Sequence, residues 1–141
     1  MRALPYPFIV SVAVLTLAAI PLRAEVVGTP YEYTVQGVVF EGYVARDTTL
    51  EESRGTVVIV HDWNGMTNYE MRRADMLAAR GYTAFAIDVY GKDEYPQSVD
   101  EYRALSDALY QDRDTFRARL MGSLAAAADI PGPMIPQLII L

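Results

Sequence analysis

The 141-residue chain has room for one domain at most, and at 52% hydrophobic and 21% charged residues it has a globular rather than a disordered balance. Its net charge of −6 argues against nucleic acid or an anionic membrane surface as a partner. With no cysteine and a single histidine, His61, it holds no disulfide, no thiol nucleophile and no Cys- or His-rich metal site, so neither metal nor cofactor is expected.

The first 24 residues differ from the rest. Arg2 supplies a positive start, Phe8 to Ile20 is apolar apart from Ser11 and Thr16, and Ala24 offers a small residue before Glu25. This is the layout of a secretory signal peptide, which predicts an exported, periplasmic or secreted protein. The apolar core is shorter than the roughly 20 residues a spanning helix needs, and a retained N-terminal anchor is the alternative.

The next segment, residues 25–128, carries the patterns of an α/β domain. Residues 31–45 are rich in Tyr, Val, Phe and Thr, with Gln36-Gly37 in the middle, and predict an antiparallel hairpin of strands 31–35 and 38–45. Residues 46–55 are polar and predict a surface loop. Thr56 to Val60 is a β-branched run without alternation, the pattern of a strand covered on both faces. Thr67 and Glu70 have capping-box spacing, and Met71, Ala74, Leu77 and Ala78 then share one helical face up to Gly81, the expected left-handed cap. Tyr82 to Asp88 predicts a second buried strand, which completes a βαβ unit.

Ser98 and Glu101 repeat the capping-box spacing, ahead of a stripe of Val99, Tyr102, Leu105 and Leu109. A longer helix is predicted from Asp112 or Asp114, with Phe116, Leu120, Leu124 and Ala128 four apart on one face. Residues 129–141 change character: Pro131, Pro133 and Pro136 break any helix, and Leu138 to Leu141 is a candidate short strand.

The nucleotide motifs are absent, since neither G-x-G-x-x-G nor a P-loop follows either buried strand. The informative stretch is His61-Asp62-Trp63-Asn64-Gly65, directly after one buried strand and before a capped helix. Ligands of open α/β sheets bind outside the carboxyl ends of the strands, which is where this loop falls. Each residue also has a plainer role open to it. His61 can bond backbone at the strand end, Trp63 can pack at the rim, Asp88 and Tyr90 can anchor turns, and Arg72 and Arg73 fit a solvated helix face.

Residues 56–92 resemble the dienelactone hydrolase family of the α/β-hydrolase superfamily. The resemblance rests on His61-Asp62-Trp63-Asn64-Gly65, Gly81-Tyr82-Thr83-Ala84 and Asp88-Val89-Tyr90-Gly91, occurring in order at family spacing, and extends more weakly over 31–128. It implies an N-terminal hairpin followed by parallel βαβ units, and a carboxylic ester or lactone as substrate. It implies further that the Trp63 backbone N–H is half of an oxyanion hole. Asp62 stands where the family often has a glutamate that contacts the resting nucleophile. His61 and Gly65 then support the loop, and His61 is not the catalytic histidine, because the triad of this fold runs nucleophile, acid, histidine along the chain.

The family's G-x-C-x-G or G-x-S-x-G elbow does not occur. The only Gly-Ser pair, Gly122-Ser123, falls within a predicted helix and lacks the second glycine, and Ser98 and Ser106 have no histidine to activate them. The expectation is a partial α/β-hydrolase fold truncated before the nucleophile strand-elbow, with Pro136 to Leu141 a candidate for that strand and a shifted reading frame from about residue 129 as an alternative origin for the tail. Such a chain is expected to be inactive alone and to self-associate through an exposed sheet edge. The competing expectation is a non-catalytic exported module that binds a ligand or partner through residues 61–66.

Overall fold

The computed structural model describes residues 23–130 and 138–140; the predicted signal segment and the three prolines of the tail lie outside the described residues, apart from Arg23 and Ala24. The elements run β1 (Val26–Val35), β2 (Val38–Asp47), β3 (Thr56–Val60), α1 (Asn68–Ala78), β4 (Thr83–Ile87), α2 (Val99–Gln111), α3 (Arg113–Ala128) and β5 (Leu138–Ile140). The strands form one mixed sheet in the order β1-β2-β4-β3-β5. β1 and β2 pair antiparallel, β2 meets β4 antiparallel, and β3 pairs parallel with both β4 and β5. The hairpin followed by a parallel βαβ unit is the architecture expected from the sequence.

Two details differ from expectation, the start of β1 and the helix faces, while the hairpin turns where expected. β1 starts five residues earlier than the β-favouring run, through Gly28 and Pro30. It is an edge strand, where a proline's missing N–H is tolerated. Gly28 is required there because a Cβ would stand 1.8 Å from the Tyr43 hydroxyl, which donates to Asp75 Oδ1 on α1 at 3.0 Å. At the hairpin tip both Gln36 and Gly37 have positive φ (51° and 82°), the pair of left-handed residues that a type I′ turn needs. The second difference is in the helix faces. Val99 is 50% exposed, and on α3 the buried residues are Ser123 and Ala127, while Ala128 faces solvent. A step of four residues overshoots a helical turn by roughly 40°, so a row spaced by fours leaves the core after three steps.

The sheet has two unlike faces. Against α1 lie Ala45 and Ala84, met by Ala74 and Ala78, all four fully buried, so helix and sheet approach closely. Against α2 and α3 lies a larger core around Tyr33, Phe40, Phe85, Ile87 and Leu109, with Tyr33 stacked on Phe40 and edge-on to Phe85. The predicted capping boxes close both α1 and α2. Glu70 Oε2 accepts from the Thr67 N–H and hydroxyl at 2.9 and 2.6 Å, and Glu101 Oε2 accepts from the Ser98 N–H at 3.2 Å. Asp112 caps α3 by accepting from the Thr115 N–H at 3.0 Å and its hydroxyl at 2.8 Å, which holds its carboxyl below the usual range.

Candidate functional site

β3 and β4 run parallel, so their carboxyl ends deliver two loops side by side: residues 61–66 and residues 88–97. His61 opens the first loop and is buried. Its Nδ1 lies 2.6 Å from the Asp62 carbonyl, which only accepts, so Nδ1 carries the proton. Nε2 then accepts the Val89 backbone N–H at 3.2 Å. Asp88 Oδ1 stands 3.7 Å from Nε2, beyond hydrogen-bond distance, while that nitrogen is engaged with the Val89 N–H. Nδ1 braces the first loop on itself and Nε2 joins it to the second, so neither nitrogen is left to move a proton for a nucleophile.

The start of the second loop, Asp88 to Gly91, is held by side chains at most of its backbone polar atoms. The Tyr33 hydroxyl donates to the Asp88 carbonyl at 2.6 Å. The Asp88 carboxylate accepts from the Tyr90 and Gly91 N–H groups at 2.8 and 3.0 Å. Arg119, on α3, donates through Nη1 to the Val89 and Tyr90 carbonyls at 2.7 and 2.8 Å, with its guanidinium over the Phe40 ring. Asp88 and Tyr90 are therefore loop anchors.

Tyr90 reaches back to the first loop. Its ring lies 4.7 Å from that of His61, and its hydroxyl donates to the Trp63 carbonyl at 2.8 Å. Burial pushes its phenol above the usual tyrosine range, against the lowering effect of the Ser106 side chain. Gly65 closes the turn at φ 81°, a left-handed conformation that favours glycine, and a Cβ there would press on the Tyr90 ring at 3.3 Å. Asp62 is exposed and its carboxylate accepts from the Asn64 N–H at 3.1 Å, stabilising the turn around Trp63. Trp63 is 46% exposed with its indole edge-on to Tyr102. Among the described residues its backbone N–H donates to no other group.

The loop separates two hollows. On the α2–α3 side a cavity of about 300 Å³ is bounded by His61, Trp63, Tyr90, Leu109 and Phe116. On the α1 side a cleft of about 430 Å³ is bounded by Tyr43, Asn64, Met71, Tyr95 and Tyr102. Among the described residues no group of three or more His, Asp or Glu side chains is placed to hold a metal ion, and no helix is long and apolar enough to cross a membrane. Ser123 lies in the core rather than in either hollow. It is 1% exposed, bonded to the Arg119 carbonyl at 2.8 Å and 3.0 Å from the Tyr33 hydroxyl, so it is no nucleophile.

Sequence reasoning missed Arg119, Tyr33 and Ser123 as supports of this edge. For Arg119 one signal exists: three residues after Phe116 and four before Ser123, it falls on the inward face of α3.

A mixed sheet with helices on both faces, a hairpin at one edge and a loop at the strand ends that presents a backbone N–H defines an α/β-hydrolase-type fold. The sequence profile of the dienelactone hydrolase family matches residues 40–134, and the chain belongs to that family. Among solved structures it is similar to the protein m3DLH, at 23% identity over 82% of this chain and 48% of that one, with a TM-score of 0.76. A dienelactone hydrolase-like promiscuous phosphotriesterase from metagenomic libraries matches at 23% identity over the same 82% and 48%, with a TM-score of 0.75. A protein of Klebsiella pneumoniae subsp. pneumoniae assigned as a dienelactone hydrolase matches at 22% identity over 82% and 49%, with a TM-score of 0.63. The chain thus spans about half the length of the solved structures it matches. No curated protein matches it.

Proposed function

We propose that this chain supplies the oxyanion side of a carboxylic ester or lactone hydrolase site, and that its own residues do not complete the covalent route. The observation that carries the reading is the Trp63 N–H, which among the described residues has no internal partner, while His61, Gly65 and the Trp63 carbonyl around it are hydrogen-bonded. A donor fixed in advance at the carboxyl edge of the sheet is what stabilises negative charge developing on a carbonyl oxygen. His61 and Gly65 hold that donor in place, and Asp62 braces the turn. Covalent hydrolysis also needs a nucleophile and a base. The sequence has no cysteine, and both nitrogens of its one histidine are engaged.

The test is hydrolysis of an activated aryl ester by the purified chain, with an activated phosphotriester as a second probe suggested by the name of the metagenomic relative. The expected result is turnover at the buffer rate with both. Saturable hydrolysis of either would overturn the reading. The second reading, a binding module acting through residues 61–66, is favoured by the 430 Å³ cleft behind the loop. It predicts saturable binding of a small ester or lactone without turnover and without further association of the chain.

Export through cleavage after Ala24 is part of the proposal, on the strength of Arg2 and the apolar run Phe8 to Ile20. N-terminal sequencing of the protein recovered from a bacterial periplasm is expected to begin at Glu25, and retention of Met1 in a membrane fraction would favour an anchor. Self-association through a sheet edge is expected on sedimentation, and a monomer at high concentration would count against it.

A further inference from the structure

We infer that Arg119 is a positioning residue for the Trp63 loop, acting through Tyr90 from a helix that borders neither the loop nor the α1-side cleft with that side chain. The inference rests on the oxyanion reading for its purpose, though not for its geometry. Two hydrogens of Arg119 Nη1 are spent on successive carbonyls, Val89 at 2.7 Å and Tyr90 at 2.8 Å. Successive carbonyls of an extended chain point apart, so one nitrogen can bind both only if the chain turns at this point. The turn is completed from the other side by the Asp88 carboxylate, which takes the Tyr90 and Gly91 N–H groups.

Held in this way, the Tyr90 backbone has little freedom, and the phenol at its far end reaches the Trp63 carbonyl at 2.8 Å. The ring packs against that of His61, with centroids 4.7 Å apart, and lies close to the Gly65 backbone, where a Cβ would stand 3.3 Å from it. Arg119 is itself steadied by Phe40 of the core, over whose ring its guanidinium sits. The line Phe40, Arg119, Tyr90, Trp63 therefore carries the rigidity of the aromatic core to the loop that presents the Trp63 N–H. A charged donor to two carbonyls is stronger than a neutral one and has one fixed geometry, which is the property a positioning group requires.

Trp63 is the only tryptophan, so its fluorescence reports this loop alone. In the full chain, Tyr90→Phe and Arg119→Met are each expected to raise the acrylamide quenching constant of Trp63 about twofold and shift its emission to the red. The double variant is expected to do no more than either single one, because both cut the same line. Arg119→Lys, which can bond one carbonyl, is expected to fall between wild type and Arg119→Met. Arg117→Met, from the exposed side of the same helix, should leave Trp63 unchanged. Additive effects in the double variant, or an Arg119→Met spectrum equal to that of Arg117→Met, would overturn the inference. If Arg119→Met loses its far-ultraviolet helix signal, Arg119→Lys decides: a wild-type Trp63 response there overturns the inference as well. None of these readouts uses ester chemistry, so failure of the oxyanion reading and failure of this one are seen separately.

Discussion

The two faces of the sheet are built on different principles. The α1 face is a contact of four alanines, and it sets a distance. The α2–α3 face is an aromatic core with polar lines running through it, from Ser123 to Tyr33 to the Asp88 carbonyl and from Arg119 to the Val89 and Tyr90 carbonyls. Both loops of the candidate site are therefore tied down from the α3 face, while α1 follows the first loop and contributes a capped start. Within this fold, the helix next to a candidate site loop in sequence is not the one that positions it.

The sharpest way to break that contrast is to remove the centre of the aromatic face. Phe85 is fully buried and touches the rings of Tyr31 and Tyr33. Phe85→Ala is expected to cost about 3–5 kcal/mol in denaturant unfolding, from lost burial and the cavity left behind. A loss near 1 kcal/mol would show a face that collapses easily and is not a rigid support. The α1 face should fail in the opposite sense, by crowding. Ala74→Leu places three carbons into a contact with no room and is expected to cost about 1–3 kcal/mol, with Trp63 emission unaltered because the site loops hang from the other side. A changed Trp63 spectrum in that variant would remove the distinction between the faces.

The polar line on the α3 face has a pH signature. Burial pushes the Tyr33 phenol well above the ordinary tyrosine range, against the lowering effect of Ser123, with the Asp88 charge adding to the rise. A group whose folded pKa is raised contributes stability that is whole below the unfolded value, about 10 for tyrosine, and is lost as pH rises through the folded value. Stability is expected to fall above about pH 10, and Tyr33→Phe to flatten that fall. At neutral pH the same variant leaves the buried Asp88 carbonyl without its donor and is expected to cost about 1–2 kcal/mol. Equal alkaline slopes in the two proteins would show that Tyr33 ionisation is not linked to folding.

What was legible in the sequence follows the same division. The βαβ unit reads out because its signals are local: a β-branched run, Thr67 with Glu70, and Gly81 at φ 86°. The loop His61 to Gly65 reads out because it sits between two such elements. The first half of β1 did not, since Gly28 and Pro30 look unlike a strand until the edge position and Tyr43 are known. The supports of the loop did not either. Tyr33 and Asp88 are 55 residues apart, Ser123 and Tyr33 are 90 apart, and Arg119 and Val89 are 30 apart, so no window along the chain contains either line. Helical spacing places Arg119 inward, but only the fold says which carbonyls it meets.

The smallest expected difference separates two caps that look alike in sequence. Thr67/Glu70 and Ser98/Glu101 have the same spacing and both close as capping boxes. Glu70 is 3% exposed, and its Oε2 takes both the N–H and the hydroxyl of Thr67. Glu101 is exposed, and water can replace whatever Ser98 gives it. Thr67→Ala removes one donor from a carboxylate that cannot turn to solvent, as well as the acceptor for the Tyr69 N–H. It is expected to cost about 1–2 kcal/mol, against about 0.5 kcal/mol for Ser98→Ala, each read from the denaturant midpoint at unchanged slope. Because α1 begins where the 61–66 loop ends, Thr67→Ala should also raise amide exchange at Met66 and Asn68, which Ser98→Ala should not do. Equal costs for the two would mean that burial of Glu70 adds nothing to its cap, and that the start of α1 is no firmer a boundary for the site loop than the exposed start of α2.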